Sequence, residues 1–213
     1  MTTPLATPRS LYGWAQPTVA ADWTADMLEQ LPDDGWLYEL VEGRVVRMPP
    51  PGPDHGRAEG NIYLALALHV RPHGLEEALL PPDGGGEVYV GETGWDLTRP
   101  GERRDTVLAS DVAVVCAERL PLPLPRRGHT YRPLAPDLVV EIASPTQYRP
   151  DLADKAQHWL ERGVRVVWVI WPDRRELDVW TPGATEPRTL HDDDALDAGD
   201  VVSGFRLALG QLW

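Results

Sequence analysis

The stretch 137–171 constrains the fold most. It opens on Asp137-Leu138-Val139-Val140-Glu141-Ile142-Ala143, where apolar residues fall on both alternating faces. A strand of that kind has to be covered on both sides. A helix follows over 151–162, with Asp151 as its cap and Gly163 as its stop. Residues 164–171 then read as a second strand, again apolar throughout. Strand, helix and strand at this spacing make a right-handed crossover between parallel strands. The rest of the chain has to be arranged around that unit.

Upstream, residues 36–41 and 44–48 are two β-prone runs around the turn residues Glu42-Gly43, which predicts a hairpin. Pro49-Pro50-Pro51-Gly52-Pro53 ends it. Residues 54–71 predict a helix that is apolar on most sides, through Ile62, Leu64, Ala65, Leu66, Leu68 and Val70, and is therefore expected to be buried. A short helix over 25–31 has Thr24 as its cap and Pro32-Asp33-Asp34-Gly35 as its end. Further strands are expected at 87–90, 95–98, 111–116 and 176–181, with 201–207 a weaker candidate. The sum is a mixed α/β protein, a mixed sheet flanked by helices and preceded by a β-hairpin. It is expected to form a single domain over 21–213. Residues 1–20, rich in Thr, Pro and Ala, are expected to be a flexible N-terminal segment.

The net charge of −13 argues against a protein that coats DNA without specificity, because that binding depends on Lys and Arg neutralising phosphates. It leaves room for a local charged site. One cysteine, Cys116, excludes an intrachain disulfide. The start has no basic, apolar leader pattern and no stretch reaches the length of a membrane span. A cytoplasmic protein with no membrane partner is the expectation.

Three residues stand out chemically. Glu141 is a carboxylate in the middle of a strand that should be buried, and such a charge usually has a cation or a metal beside it. The competing reading is an ion pair with an arginine. Asp111 heads the apolar run 111–116 in the same way, although acids at strand starts are commonly just solvated. Lys155 is the one lysine among 20 basic side chains, the other 19 being arginine. Leu152, Ala156 and Trp159 define the helix face toward the sheet, and Lys155 borders it. Its stem can lie along apolar surface and carry the ammonium inward. Two carboxylates on adjacent strands can hold Mg²⁺ or Mn²⁺, hard ions that prefer oxygen. A lysine beside them can orient a water or stabilise developing charge. The cluster His191-Asp192-Asp193-Asp194 reads instead as an acidic surface loop. Gly84-Gly85-Gly86 lacks the Lys-Ser/Thr of a phosphate loop.

An ordered set of segments carries a family resemblance. It runs through Tyr38-Glu39-Leu40-Val41-Glu42-Gly43, Pro50-Pro51, His55-Gly56, Ser110-Asp111-Val112-Ala113, Pro136-Asp137-Leu138-Val139-Val140-Glu141-Ile142 with Ser144-Pro145, Asp154-Lys155, Gly163-Val164 and Trp168. In this order the chain resembles the Uma2-type (DUF820) proteins of the PD-(D/E)XK nuclease superfamily. The resemblance implies a restriction-endonuclease-like fold and a metal-dependent endonuclease acting on DNA. It implies that Asp111 and Glu141 hold Mg²⁺ or Mn²⁺ and that Lys155 is the catalytic lysine. Glu39 and His55 match positions typical of the family and would line the same pocket. The superfamily's lysine usually lies two residues after the acid. Here that position is Ala143, so Lys155 would serve from the following helix. A different class of function competes with this one. The fold could serve binding or assembly as a homodimer with a weak or dead site, which the net charge and the 9 tryptophans motivate. A hydrolase of small phosphate esters is a third reading.

Overall fold

In the computed structural model, residues 22–70, 85–125 and 130–213 are described. The expected N-terminal segment 1–20 lies outside them. Helix α1 (Ala25–Glu29) starts where Thr24 caps it, its hydroxyl accepting the Met27 N–H at 3.3 Å. Strands β1 (Leu37–Val41) and β2 (Arg44–Met48) pair antiparallel. Glu42 and Gly43 have φ of 48° and 76°, the double left-handed turn that matches the twist of a hairpin. Helix α2 (Pro53–Val70) begins on a proline, which the first turn tolerates. Strands β3 (Gly86–Asp96) and β4 (Val107–Cys116) follow, then β5 (Leu138–Ile142), helix α3 (Arg149–Glu161) and β6 (Val166–Trp171). The chain finishes with β7 (Glu176–Trp180), β8 (Arg188–His191), β9 (Ala195–Asp197) and β10 (Arg206–Ala208).

The crossover forms as its pattern requires: β5 and β6 pair in parallel with α3 between them. One mixed sheet runs β2-β1-β4-β5-β6-β7-β8, with β3 against the other edge of β4. Alternation along each strand divides the core between two faces. Ala58, Ile62, Leu66 and Val70 of α2 pack with Val140, Ile142, Trp168 and Ile170 on one face. Leu152, Ala156 and Trp159 of α3 pack with Val139, Val167, Val169 and Trp171 on the other. Among the described residues, no helix is long and apolar enough to cross a membrane.

Several expectations are corrected. The runs 87–90 and 95–98 are not two strands. The first run and the start of the second, Trp95-Asp96, belong to β3, which crosses a bulge between Val90 and Thr93 because the long buried β4 offers one continuous edge; Leu97 and Thr98 lie past its end. Asp111 is not at a strand head; β4 begins four residues earlier and is buried throughout. Asp151 is not the cap of α3. The helix starts at Arg149 with Tyr148 as N-cap, since Pro150 fits the first turn, where no N–H is required. The helix α2 is buried on one face only, and Leu64 and Leu68 on its outer side are more than half exposed. Of the segment 201–207, only its end joins β10, which pairs with the unforeseen β9. The acidic run after β8 is a turn, closed by the Asp194 carboxylate accepting the His191 N–H.

Candidate active site

The site arises from a fork in the sheet. Strand β3 occupies one whole edge of β4. On the opposite edge, Val107 pairs with Leu40 of β1, while Val112 to Val114 pair with β5. Between them the edge of β4 at 108–111 meets no strand among the described residues, and buried peptide groups left open there would be costly. Side chains take the place of the missing strand. Glu39 Oε1 accepts the Ala109 N–H at 2.9 Å, and Lys155 Nζ donates to the Ala109 carbonyl at 3.1 Å. Asp111 Oδ2 accepts the Ile142 N–H at 2.5 Å.

The same groups bind each other. Lys155 Nζ lies 2.9 Å from Glu39 Oε1 and 2.8 Å from Glu141 Oε2. With Ala109 that supplies three acceptors for the three N–H bonds of the ammonium. The indole of Trp159 donates to Glu141 Oε1 at 2.7 Å. His55, in the first turns of α2, places Nε2 3.3 Å from Asp111 Oδ2. Glu39, His55, Asp111, Glu141 and Lys155 are all at least 95 % buried, so Glu39 is not an exposed hairpin residue. Its burial follows from period two: Glu39 and Val41 share the face of β1 toward α3.

All five residues anticipated from the sequence therefore meet at one fork. Four of them, His55, Asp111, Glu141 and Lys155, line a narrow cleft. Its walls come from Met48 at the end of β2, from Pro49 and Pro51 after it and from Thr146 and Gln147 before α3. The proline run that ends the hairpin thus shapes the cleft. One lining acid was missed in the sequence, Glu92 of the β3 bulge. A ligand atom of Glu92, one of Asp111 and one of His55 lie within 4.8 Å of one another. The signal for it was Gly91-Glu92-Thr93-Gly94, glycines flanking an acid inside a strand run, which marks a bulge as readily as a turn. Asp137 is not part of the cluster. It caps the other end of β5, accepting from the Cys116 N–H and from Arg119.

Four carboxyl groups (Glu39, Glu92, Asp111 and Glu141) face one lysine and one histidine. The electrostatics follow from that surplus. Burial raises the Glu141 carboxyl to about 8, and Asp111 and Glu39 reinforce this against the lowering effect of Lys155. The 2.8 Å ion pair would by itself predict the reverse; burial plus two further acids outweigh it. Burial and the charge of Asp111 raise Glu92 to about 10. For Asp111 burial also pushes upward, but the hydrogen bond and charge of His55, with Lys155, prevail and hold it below the usual range. His55 is the mirror case: burial disfavours its charged ring, yet the hydrogen bond and charge of Asp111 carry it above the ordinary value.

A divalent cation fits this donor set. Carboxylates exceed cations, and two buried atoms in the cluster, Glu39 Oε2 and His55 Nδ1, have no hydrogen-bond partner among the described residues. Oxygen-rich sites of this type suit Mg²⁺ or Mn²⁺.

The molecule is thus a mixed α/β domain whose sheet forks at an acidic, lysine-bearing cleft. The model of the Uma2 family, described as a putative restriction endonuclease, matches residues 25–210, and the chain belongs to that family. Among solved structures it is similar to a putative nuclease belonging to DUF820 from Anabaena variabilis ATCC 29413. The TM-score is 0.68 at 21 % identity, over 88 % of this chain and 95 % of that one, a likeness of fold. The comparison with curated proteins gives no match.

Proposed function

We propose that the chain is a metal-dependent endonuclease that hydrolyses phosphodiester bonds in DNA, working as a single domain over 21–213. The observation that carries this reading is the sheet fork, which gathers Asp111, Glu141 and Lys155 on one cleft. Asp111 and Glu141 would hold Mg²⁺ or Mn²⁺. Such an ion, when bound, lowers the pKa of a coordinated water and neutralises charge on a phosphate.

The chain's own residues do the rest. The Lys155 ammonium is fixed by Glu39, Glu141 and the Ala109 carbonyl, so it waits at a set position rather than sampling rotamers. From there it can orient the attacking water or stabilise charge developing on the phosphate oxygens. Glu39 acts as a positioning residue, holding both the lysine and the open edge of β4. Likewise His55 and the Ile142 N–H fix Asp111. Met48, Pro49 and Pro51 wall the cleft and limit water around the acids.

The test is cleavage of supercoiled plasmid with Mn²⁺ by wild type, Glu141→Ala and Lys155→Ala. The expected result is nicking by wild type and a loss of about 100-fold or more in each variant. Equal cleavage by all three, or none by wild type on DNA, sinks the proposal. Turnover of a small phosphodiester with no action on DNA would favour a small-ester hydrolase. The narrow cleft, which no arginine lines among the described residues, is the feature that keeps this second reading.

A further inference from the structure

The bulge in β3 interrupts the ladder with β4 in the middle of the longest strand pair of the sheet. Gly91 and Glu92 both take left-handed backbone, with φ of 80° and 55°. Glycine adopts that conformation freely, but a glutamate there is strained. The bulge is held from outside: Glu59 of α2 accepts the Gly91 N–H at 3.1 Å, and the Thr93 hydroxyl donates to the Val90 carbonyl at 3.2 Å. Bulges beside a site serve to re-aim a side chain.

Here the re-aimed side chain is Glu92. Its carboxyl lies beside Asp111: one ligand atom each of Glu92, Asp111 and His55 lie within 4.8 Å of one another. Two carboxyl groups at that range need a proton or a cation between them. Asp111 lines the cleft, and its Oδ2 is already engaged by the Ile142 N–H and by His55 Nε2. The oxygens of Glu141 are occupied by Lys155 and Trp159. His55 is 5 % exposed, and its Nδ1 has no hydrogen-bond partner among the described residues.

We propose that Glu92 is a third metal-ligating carboxylate, delivered to Asp111 by the strained bulge. The inference rests on the reading of the cleft as a divalent-metal site, and it adds a donor from a strand outside the Asp111–Glu141 pair. The left-handed backbone is thereby explained: a regular β3 would turn Glu92 along the pleat instead of toward Asp111.

The test is calorimetric titration of the chelator-treated full chain with Mn²⁺. Wild type, Glu92→Gln, Glu92→Asp and Asp111→Ala are compared, with circular dichroism to check folding. Wild type is expected to bind, Asp111→Ala to lose binding, and Glu92→Gln to weaken it by about tenfold or more. Glu92→Asp keeps the charge but shortens the reach, and it is expected to weaken binding as well. If Glu92→Gln binds like wild type while Asp111→Ala does not, the assignment of Glu92 is overturned and the metal site stands. If Glu92→Asp binds like wild type, Glu92 acts by charge alone and the assignment is again overturned. Absence of Mn²⁺ binding by wild type at millimolar concentration overturns both this assignment and the metal site.

Discussion

Two buried acids hang on the same helix and are surrounded very differently. Asp178 of β7 sits by the start of α3 and accepts from Arg149 Nη1 at 3.0 and 2.8 Å, from the Trp171 indole at 2.8 Å and from the Thr189 hydroxyl at 2.6 Å. Glu141 of β5 sits one turn and a half further along and accepts from Lys155 and the Trp159 indole. Each has a cation from α3 and an indole. The difference lies in what else is present. Around Asp178 every carboxylate oxygen is satisfied, and Arg149 also pairs with Glu176 and lies over the Trp171 ring. Around Glu141 three further acids share one lysine and one histidine, two polar atoms have no hydrogen-bond partner among the described residues, and the group lines a cleft. Burial of a charge therefore does not mark a site. A surplus of like charge held in place by the fold does, because it waits for a cation.

The largest effect that would break this contrast is on stability. Asp178→Ala leaves the Arg149 guanidinium, the Trp171 N–H and the Thr189 hydroxyl without their acceptor. The expected loss is about 3 kcal/mol, at the low end for a broken buried pair because Arg149 is one-third exposed. For a chain of this size it corresponds to a drop of about 10 °C in Tm by calorimetry. Plasmid nicking below the transition should be unchanged. A variant as stable as wild type would show that the Asp178 cluster is not structural.

A smaller effect separates the two indoles. Trp171→Phe removes one hydrogen bond to a satisfied carboxylate and should cost about 2 kcal/mol in urea unfolding with no change in nicking. Trp159→Phe frees Glu141 Oε1 inside the cleft, so its main effect should fall on metal affinity and cleavage, reduced about tenfold as for loss of an orienting partner. If both variants change only stability, the two clusters are alike and the distinction fails.

What was readable in the sequence follows the same line. Glu141 could be found because an acid breaks an apolar run whose period is plain, and Lys155 because it is the one lysine in an arginine-rich chain. The crossover was legible because strand, helix and strand are contiguous. The fork was not, since it depends on which strand pairs with which part of β4, and those partners lie far apart in the chain. Asp111 heads the apolar run 111–116 in the sequence; only pairing with β3 shows that Ala109 and Ser110 before it are buried strand. Glu92 falls in the gap between the expected strands 87–90 and 95–98, which only the pairing of β3 with β4 closes. The family resemblance, rather than periodicity, pointed to Glu39 and His55, and both lie at the fork.

The smallest effect concerns the surplus itself. In metal-free protein Glu92 keeps its proton to about 10 when folded, against an ordinary 4.5. Between those values the folded chain holds a proton that the unfolded chain releases, so stability falls as pH rises. Glu92→Gln mimics the protonated acid and removes that dependence. The variant is therefore expected to be more stable than wild type by about 1 kcal/mol at pH 8 with a chelator present, typical of relieving a strained functional group. At pH 5 the two should converge, because both states of wild type then approach the same protonation. Added Mn²⁺ should reverse the order at pH 8, raising the Tm of wild type and leaving the variant little changed. Denaturation at pH 5 and pH 8, with and without Mn²⁺, reads all four corners. If Glu92→Gln is less stable than wild type in chelator at pH 8, the carboxylate is satisfied as Asp178 is, and the line drawn between the two clusters would have to move.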